Sequence, residues 1–251
     1  MNTRRLRSGF TLVELIIVVA IIAVIASMAV PKFMRSRLSA NEAAAISTLR
    51  LLSTVQGQIR SQNAIDTDSD GTGEYGYLGE LAGTAPLRIA SGGGPAAGTP
   101  GVDELDPNVI SDAFGDVDPQ SLVARSGYYF QIWLPGPNSG TVPGFAEAAG
   151  SGPGIGGGAP GPDGFPDPDN AENLWCCYAW PVDADSTGNR VFFVNEEGTI
   201  WQFENRLAAP FSGTTKSPAF DEAYTDAGDM SSGVRMGVAG GNENSIWAPI
   251  Q

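Results

Sequence analysis

Glu14 is the side chain whose presence most needs a chemical reason, because it is the sole ionisable group in the 21 residues from Phe10 to Val30. A carboxylate carried into hydrocarbon costs roughly 2.5–3.5 kcal/mol on insertion scales, so it calls for a cation. Phe10 lies four residues earlier. A chain cut just before Phe10 would present an α-amine one helical turn from Glu14, within the same helix or beside the Glu14 of a neighbouring copy. A second group is acidic. Asp66, Asp68 and Asp70, followed by Gly71, alternate as in the first half of an EF-hand loop, where such side chains converge on Ca2+. The twelfth position, which should be a bidentate Glu, is Tyr77, and Asx-rich turns also end helices without any metal. Asp183 and Asp185, ahead of Gly188, make a second and sparser acidic turn. Nothing in the sequence requires a cofactor, and Ca2+ at these turns is the one candidate.

Catalytic chemistry has little to build on. The chain contains no histidine, which removes the commonest general base and the triads built on it. There is no P-loop, no Gly-x-Ser-x-Gly and no Cys-x-x-Cys. Cys176 and Cys177 are the two cysteines, and they are adjacent. Neighbouring Cα atoms sit ~3.8 Å apart, below the usual disulfide span of ~4.4–6.8 Å, so buried free thiols are expected in preference to a strained vicinal bridge. The aromatic stripe from Tyr128 to Trp201 reads as core in preference to a carbohydrate platform. Charge is divided along the chain. Residues 1–65 hold eight Lys/Arg and two acids, whereas residues 66–251 hold six and 26. An outer part at net −20 repels polyphosphates, so no nucleic-acid partner is expected.

The elements that must position Glu14 follow from the apolar run. At ~1.5 Å per residue, a helix of ~20 residues crosses a hydrocarbon core of ~30 Å. Its β-branched residues (Ile16, Ile17, Val18, Val19, Ile21, Ile22) would favour a strand in water. In lipid a lone strand leaves its backbone groups unpaired, so helix prevails. A secretory signal peptide competes for this stretch, since Arg4, Arg5 and Arg7 form a basic region before it. The run is longer than the usual ~7–15 residues and ends without a clear small-x-small cleavage site. Lys32, Arg35 and Arg37 balance the three leading arginines, so charge alone does not set topology. Beyond Pro31, Leu38, Ala45, Leu52 and Ile59 recur every seven residues, widened by Ile46, Leu49 and Val55. One helix is therefore expected from about Thr11 to Asn63, with Pro31 as the place of any kink.

Arg7-Ser-Gly-Phe-Thr-Leu-Val-Glu-Leu15 resembles the class III leader junction of type IV pilins and type II secretion pseudopilins. The resemblance implies that a membrane prepilin peptidase cuts between Gly9 and Phe10 and methylates the new Phe10 amine. It further implies that Glu14 guides docking of one subunit on the next, and that Pro31 falls where this family often kinks its helix. The implied segments are a leader (1–9), a membrane or filament-core helix (10–30), an amphipathic continuation (31–65) and an acidic outer domain (66–251). The partners are the peptidase, other filament subunits and inner-membrane assembly machinery. The implied location is the bacterial inner membrane, single-pass, with the C-terminal part in the periplasm or on an extracellular filament.

For the outer domain, Tyr75–Ala82 reads as a short segment, 91–101 as loop and 109–114 as a helical turn. Strands are expected at 128–134, 175–180, 190–194 and 199–203, the last two joined by a turn at Asn195–Gly198. Of residues 135–170, 19 of 36 are Gly or Pro, which predicts an insertion without regular structure. Residues 204–251 are polar and Gly-rich and predict a loosely packed tail. Segments such as Ser126–Phe130 and Thr187–Ile200 are also similar to bacterial pseudopilin sequences. The expected fold is α+β: a long N-terminal helix on a four-stranded antiparallel sheet, one aromatic face against the helix, with Gly/Pro-rich loops. The functions in play are a type II secretion pseudopilin, favoured on sequence; a type IV pilin for adhesion, motility or DNA uptake; and a membrane-anchored periplasmic enzyme or binding domain delivered by a pilin-type leader.

Overall fold

A computed structural model describes residues 10–147, 164–237 and 245–250. The leader expected at 1–9 and parts of the insertion and tail lie outside the described residues. The first element is one unbroken helix, α1, Leu12–Ser61. It runs through Pro31, whose missing N–H removes one backbone bond to the carbonyl of Ser27. The helix serves two environments. Every residue from Phe10 to Arg37 is exposed, and the 18-residue apolar window within α1 has mean hydropathy 2.9. From Ala45 onward the stripe Ala45, Leu49, Leu52, Val55 and Ile59 is buried. The heptad read from sequence is therefore the face that packs on the sheet.

After α1 come α2, Leu78–Leu81; a hairpin of β1, Arg88–Ser91, and β2, Gly94–Ala97; and a 3-10 turn at Asp112–Phe114. The hairpin corrects the expectation of plain loop over 91–101, and Gly92 and Gly93 supply its turn with φ of +65° and +94°. The main sheet consists of β3, Val123–Arg125; β4, Tyr128–Pro135; β5, Gly144–Ala146; β6, Cys176–Pro181; β7, Arg190–Asn195; β8, Ile200–Glu204; and β9, Ala248–Pro249. Its order is β3-β4-β6-β7-β8-β9, with β5 also paired to β4 and every pairing antiparallel. The expected meander β4-β6-β7-β8 is present, but the sheet has seven strands instead of four. The three extra strands are only two or three residues long, too short to show alternation. The 135–170 insertion likewise contains β5 and a helical turn, α3, Pro168–Ala171, on either side of residues that lie outside the description.

The sheet is buried on both faces, a second departure from expectation. Against α1 lie Tyr128, Phe130, Ile132, Cys177, Phe192 and Val194. On the other face Tyr178, Trp180, Phe193 and Phe203 meet Phe211, Tyr224, Met230 and Trp247 from the C-terminal segment. Residues of 204–251 thus form a second core layer, not a loose tail. Trp247 is fully buried, 4.7 Å between ring centroids from Phe203, and its indole N–H donates to the Glu222 carbonyl at 3.2 Å. Strand alternation places Cys176 in this second layer and Cys177 against the helix, and both are free thiols.

Trp247→Ala should lower unfolding stability by roughly 3–5 kcal/mol in urea titration of the detergent-solubilised chain, whereas a loose tail would lose almost nothing. The β7–β8 turn carries a pH signature. Burial pushes the Glu196 carboxyl up to about 7, opposed by backbone hydrogen bonds. A carboxyl whose folded pKa is raised adds stability that is complete below its unfolded pKa of ~4.5 and is lost as pH climbs through the folded value. The unfolding midpoint is therefore expected to fall between about pH 4.5 and 7, and Glu196→Gln should flatten that slope in pH-dependent thermal scans.

Candidate functional site: the helix N-terminus and its junction with the sheet

Thr11 caps α1 in extended conformation, and its hydroxyl accepts from the Glu14 N–H at 3.2 Å. Glu14 answers: its Oε2 accepts from the Thr11 N–H at 2.8 Å and from the Thr11 hydroxyl at 2.6 Å. This is a capping box. Within one chain, then, the carboxylate is already hydrogen-bonded by the first turn of its own helix. Phe10 is 78% exposed just ahead of that cap. Gly9 lies outside the described residues. Sequence reading identified Glu14 and Phe10 but missed Thr11, although the Thr-x-x-Glu spacing is itself a capping-box signal.

Where the apolar half of α1 ends, the sheet takes hold of the helix. Asn41 Nδ2 donates to the Thr187 carbonyl at 2.9 Å, and the Asn189 N–H donates to Glu42 Oε1 at 3.1 Å. Arg190 Nε stands 3.8 Å from Glu42 Oε2. Gly188 lets the β6–β7 turn pack on β4, where a Cβ would sit 2.0 Å from the Tyr128 hydroxyl. Asp183 and Asp185 belong to the same turn. The Asp183 carbonyl accepts from the Thr187 N–H at 2.8 Å, and among the described residues neither acid joins a third at metal-ligating spacing. They are turn-formers in this structure.

The acidic loop at the other end of α1 folds back on the helix. Asp66, Asp68 and Asp70 come together, with ligand oxygens within 4.8 Å of one another. Asp68 also groups with Asp169 and Glu172 of the α3 region, carried there by the Tyr75 N–H donating to the Ala171 carbonyl at 2.9 Å. Sequence gave no hint of that pairing across about a hundred positions. Burial and then the charges of Asp70, Asp68 and Asp169 raise the Glu172 carboxyl above its usual range. These oxygens are of the type that holds hard cations. The loop amides already use several of them: the Gly71 N–H donates to Asp66 Oδ2 at 3.1 Å and the Thr72 N–H to Asp70 Oδ1 at 2.7 Å. Tyr77, at the EF-hand glutamate position, is fully buried and donates its hydroxyl to the Phe145 carbonyl. The arrangement is an Asx-turn loop with clustered acids, not an EF-hand.

Beneath that loop lies a buried ionic knot. Arg88 Nη1 meets Glu74 Oε2 at 2.9 Å and Arg88 Nε meets Glu80 Oε1 at 3.1 Å, all three residues at most 1% exposed. Glu147 adds its carboxylate to the N–H groups of Leu78 and Gly79 at 3.1 and 2.9 Å. The oxygens accept backbone N–H bonds as well, which satisfies the buried charges. This knot is closed off from water and holds structure.

Thr11→Val removes the side-chain half of the cap and should speed hydrogen exchange at the Glu14 amide about fivefold, the equivalent of ~1 kcal/mol, with the amides of Ala45–Ile59 unchanged. Residues 4–30 match a family model described as the prokaryotic N-terminal methylation motif. Over 129 residues the chain is 32% identical to the type IV major pilin protein PilA of Myxococcus xanthus (strain DK1622), an alignment covering 47% of this chain and 57% of that protein. The chain thus spans little more than half the length of the curated relative it matches, and no solved structure matches it. The methylation motif and the identity to a major pilin, found on a long apolar helix capped at Thr11, together support a type IV pilin-like family for this chain.

Proposed function

We propose that this chain is a structural subunit of a type IV pilus-like filament, made as a precursor, trimmed between Gly9 and Phe10 by a prepilin peptidase and N-methylated at Phe10. The observation that carries the reading is the junction itself: a methylation motif ending in an apolar helix that buries nothing of its own chain between Phe10 and Arg37. So large an apolar surface needs lipid or other copies of the same helix to cover it. Trimming supplies the missing cation. Among the described residues Glu14 has Thr11 as its hydrogen-bond partner; in the trimmed chain, a Phe10 amine on an adjacent helix pairs with it in apolar surroundings, where an unpaired charge is penalised. That penalty selects one register between helices. Head-to-tail contacts repeated without closure generate a fibre.

Likeness to a major pilin favours the pilus over the secretion pseudopilus, the reading that the sequence alone put first. The pseudopilin remains the second reading, supported by the same junction. Likeness to a pilin supports a structural role in preference to an enzymatic one. Its inner-membrane location, with the acidic domain in the periplasm or on an extracellular fibre, belongs to the same proposal.

Mass spectrometry of the mature N-terminus should find N-methylated Phe10; a chain retaining residues 1–9 overturns the reading. Gly9→Leu should block trimming. Glu14→Ala should be trimmed normally yet yield no filaments by electron microscopy, and normal filaments from that variant would remove the proposed role of the carboxylate.

A further inference from the structure

Basic side chains gather where the apolar run ends. Lys32, Arg35 and Arg37 follow it on α1, and the ends of β7 and β8 bring Arg190 and Arg206 to the same level. They account for nearly half of the 11 Lys/Arg beyond residue 9 of a chain that is otherwise strongly acidic. Arg35, Arg190 and Arg206 line one concave groove of about 280 Å³, together with Ser39, Glu42 and Glu204. Each of the two acids facing the groove is engaged in aiming an arginine: Glu42 stands 3.8 Å from Arg190 and Glu204 stands 3.1 Å from Arg206. Arg35 has no ion-pair partner among the described residues. The groove therefore carries positive charge in excess of negative, with one guanidinium uncommitted.

Its height matters. With Val30 closing the hydrocarbon segment, Arg35 lies about 7.5 Å further along the helix axis. The headgroup layer of a bilayer extends some ~5–8 Å beyond the hydrocarbon, so Arg35 sits at its depth, and the groove opens beside it. Long arginine side chains reach down to such a layer.

We propose that this groove binds the phosphate of an anionic phospholipid in the leaflet beside it, and so sets the tilt and height of the acidic domain above the membrane before the helix leaves the bilayer. The proposal rests on the membrane-anchored reading given above. Arg35, Arg190 and Arg206 supply the planar donors that suit a phosphodiester. The acids elsewhere on the domain repel the same surface, so only this end of the molecule approaches it.

The test uses the full chain in nanodiscs of phosphatidylcholine and phosphatidylglycerol in equal parts, with native mass spectrometry of the lipids retained on ejection. Phosphatidylglycerol should be retained about tenfold over phosphatidylcholine, the order expected for basic side chains beside an anionic surface. Arg190→Ala/Arg206→Ala should bring the ratio close to parity. Arg206→Ala alone should lower it without disturbing the fold, because that side chain is 83% exposed, and Arg206→Lys should restore part of it. Equal retention of both lipids by the unaltered chain overturns the proposal, as does loss of the preference on adding inorganic phosphate, which would mark a free-anion site. A chain that never enters the nanodiscs fails the membrane reading itself, a result separate from equal retention.

Discussion

A single helix has to satisfy two surroundings, and most of this structure follows from that constraint. From Leu12 to Arg37 every residue of α1 is exposed, while from Ala45 to Ile59 the helix forms one wall of a protein core. The β-branched run at Ile16–Ile22 would be an indifferent helix in water. In the proposed membrane setting it would be held helical because every backbone group must find a partner inside the segment once water is gone. The capping box of Thr11 and Glu14 finishes the apolar end, and the strap from Asn41 and Glu42 to Thr187–Arg190 marks where the second environment begins. Between those two fixtures the helix has freedom to meet other helices. Beyond the second it has none.

The outer domain solves a different problem, the burial of a sheet rich in large aromatics on both faces. Helix α1 covers one face, and the chain after β8 returns to cover the other with Phe211, Tyr224 and Trp247. The region between α1 and β3 is organised around polar groups as much as apolar ones. Glu74, Glu80 and Arg88 are taken wholly out of water, which is tolerable only because each oxygen or guanidinium nitrogen finds a partner. Removal of one member would strand the others, so this knot is an all-or-none feature of the fold.

The parts legible in the sequence were those with local periodicity. The heptad of α1, the alternation of Tyr128, Phe130, Ile132 and Leu134, and the Asn195–Gly198 turn each carry their signal within a dozen residues. Trp247 and Tyr224 do not. They are isolated aromatics among glycines and polar residues, and only contacts with Phe193 and Phe203 give them a role. The same holds for the site. Glu14 stood out because a charge in an apolar run is a local anomaly, whereas Asp169 and Glu172 meet Asp68 only through the placement of α3. Arg190 and Arg206 read as ordinary surface charges until the sheet ends carry them to Arg35.

The shortness of the outermost strands has its own consequence. One side of β4 is shared by β3 and β5, three residues each, and at the opposite margin β9 pairs with only two residues of β8. A sheet with such clipped margins offers a poor template for the ladder growth that drives amyloid. Hundreds of copies crowded along a shaft would bring these margins into repeated collision. In the proposed filament, polymerisation would thereby be left to the helices, with the outer domains kept from pairing edge to edge.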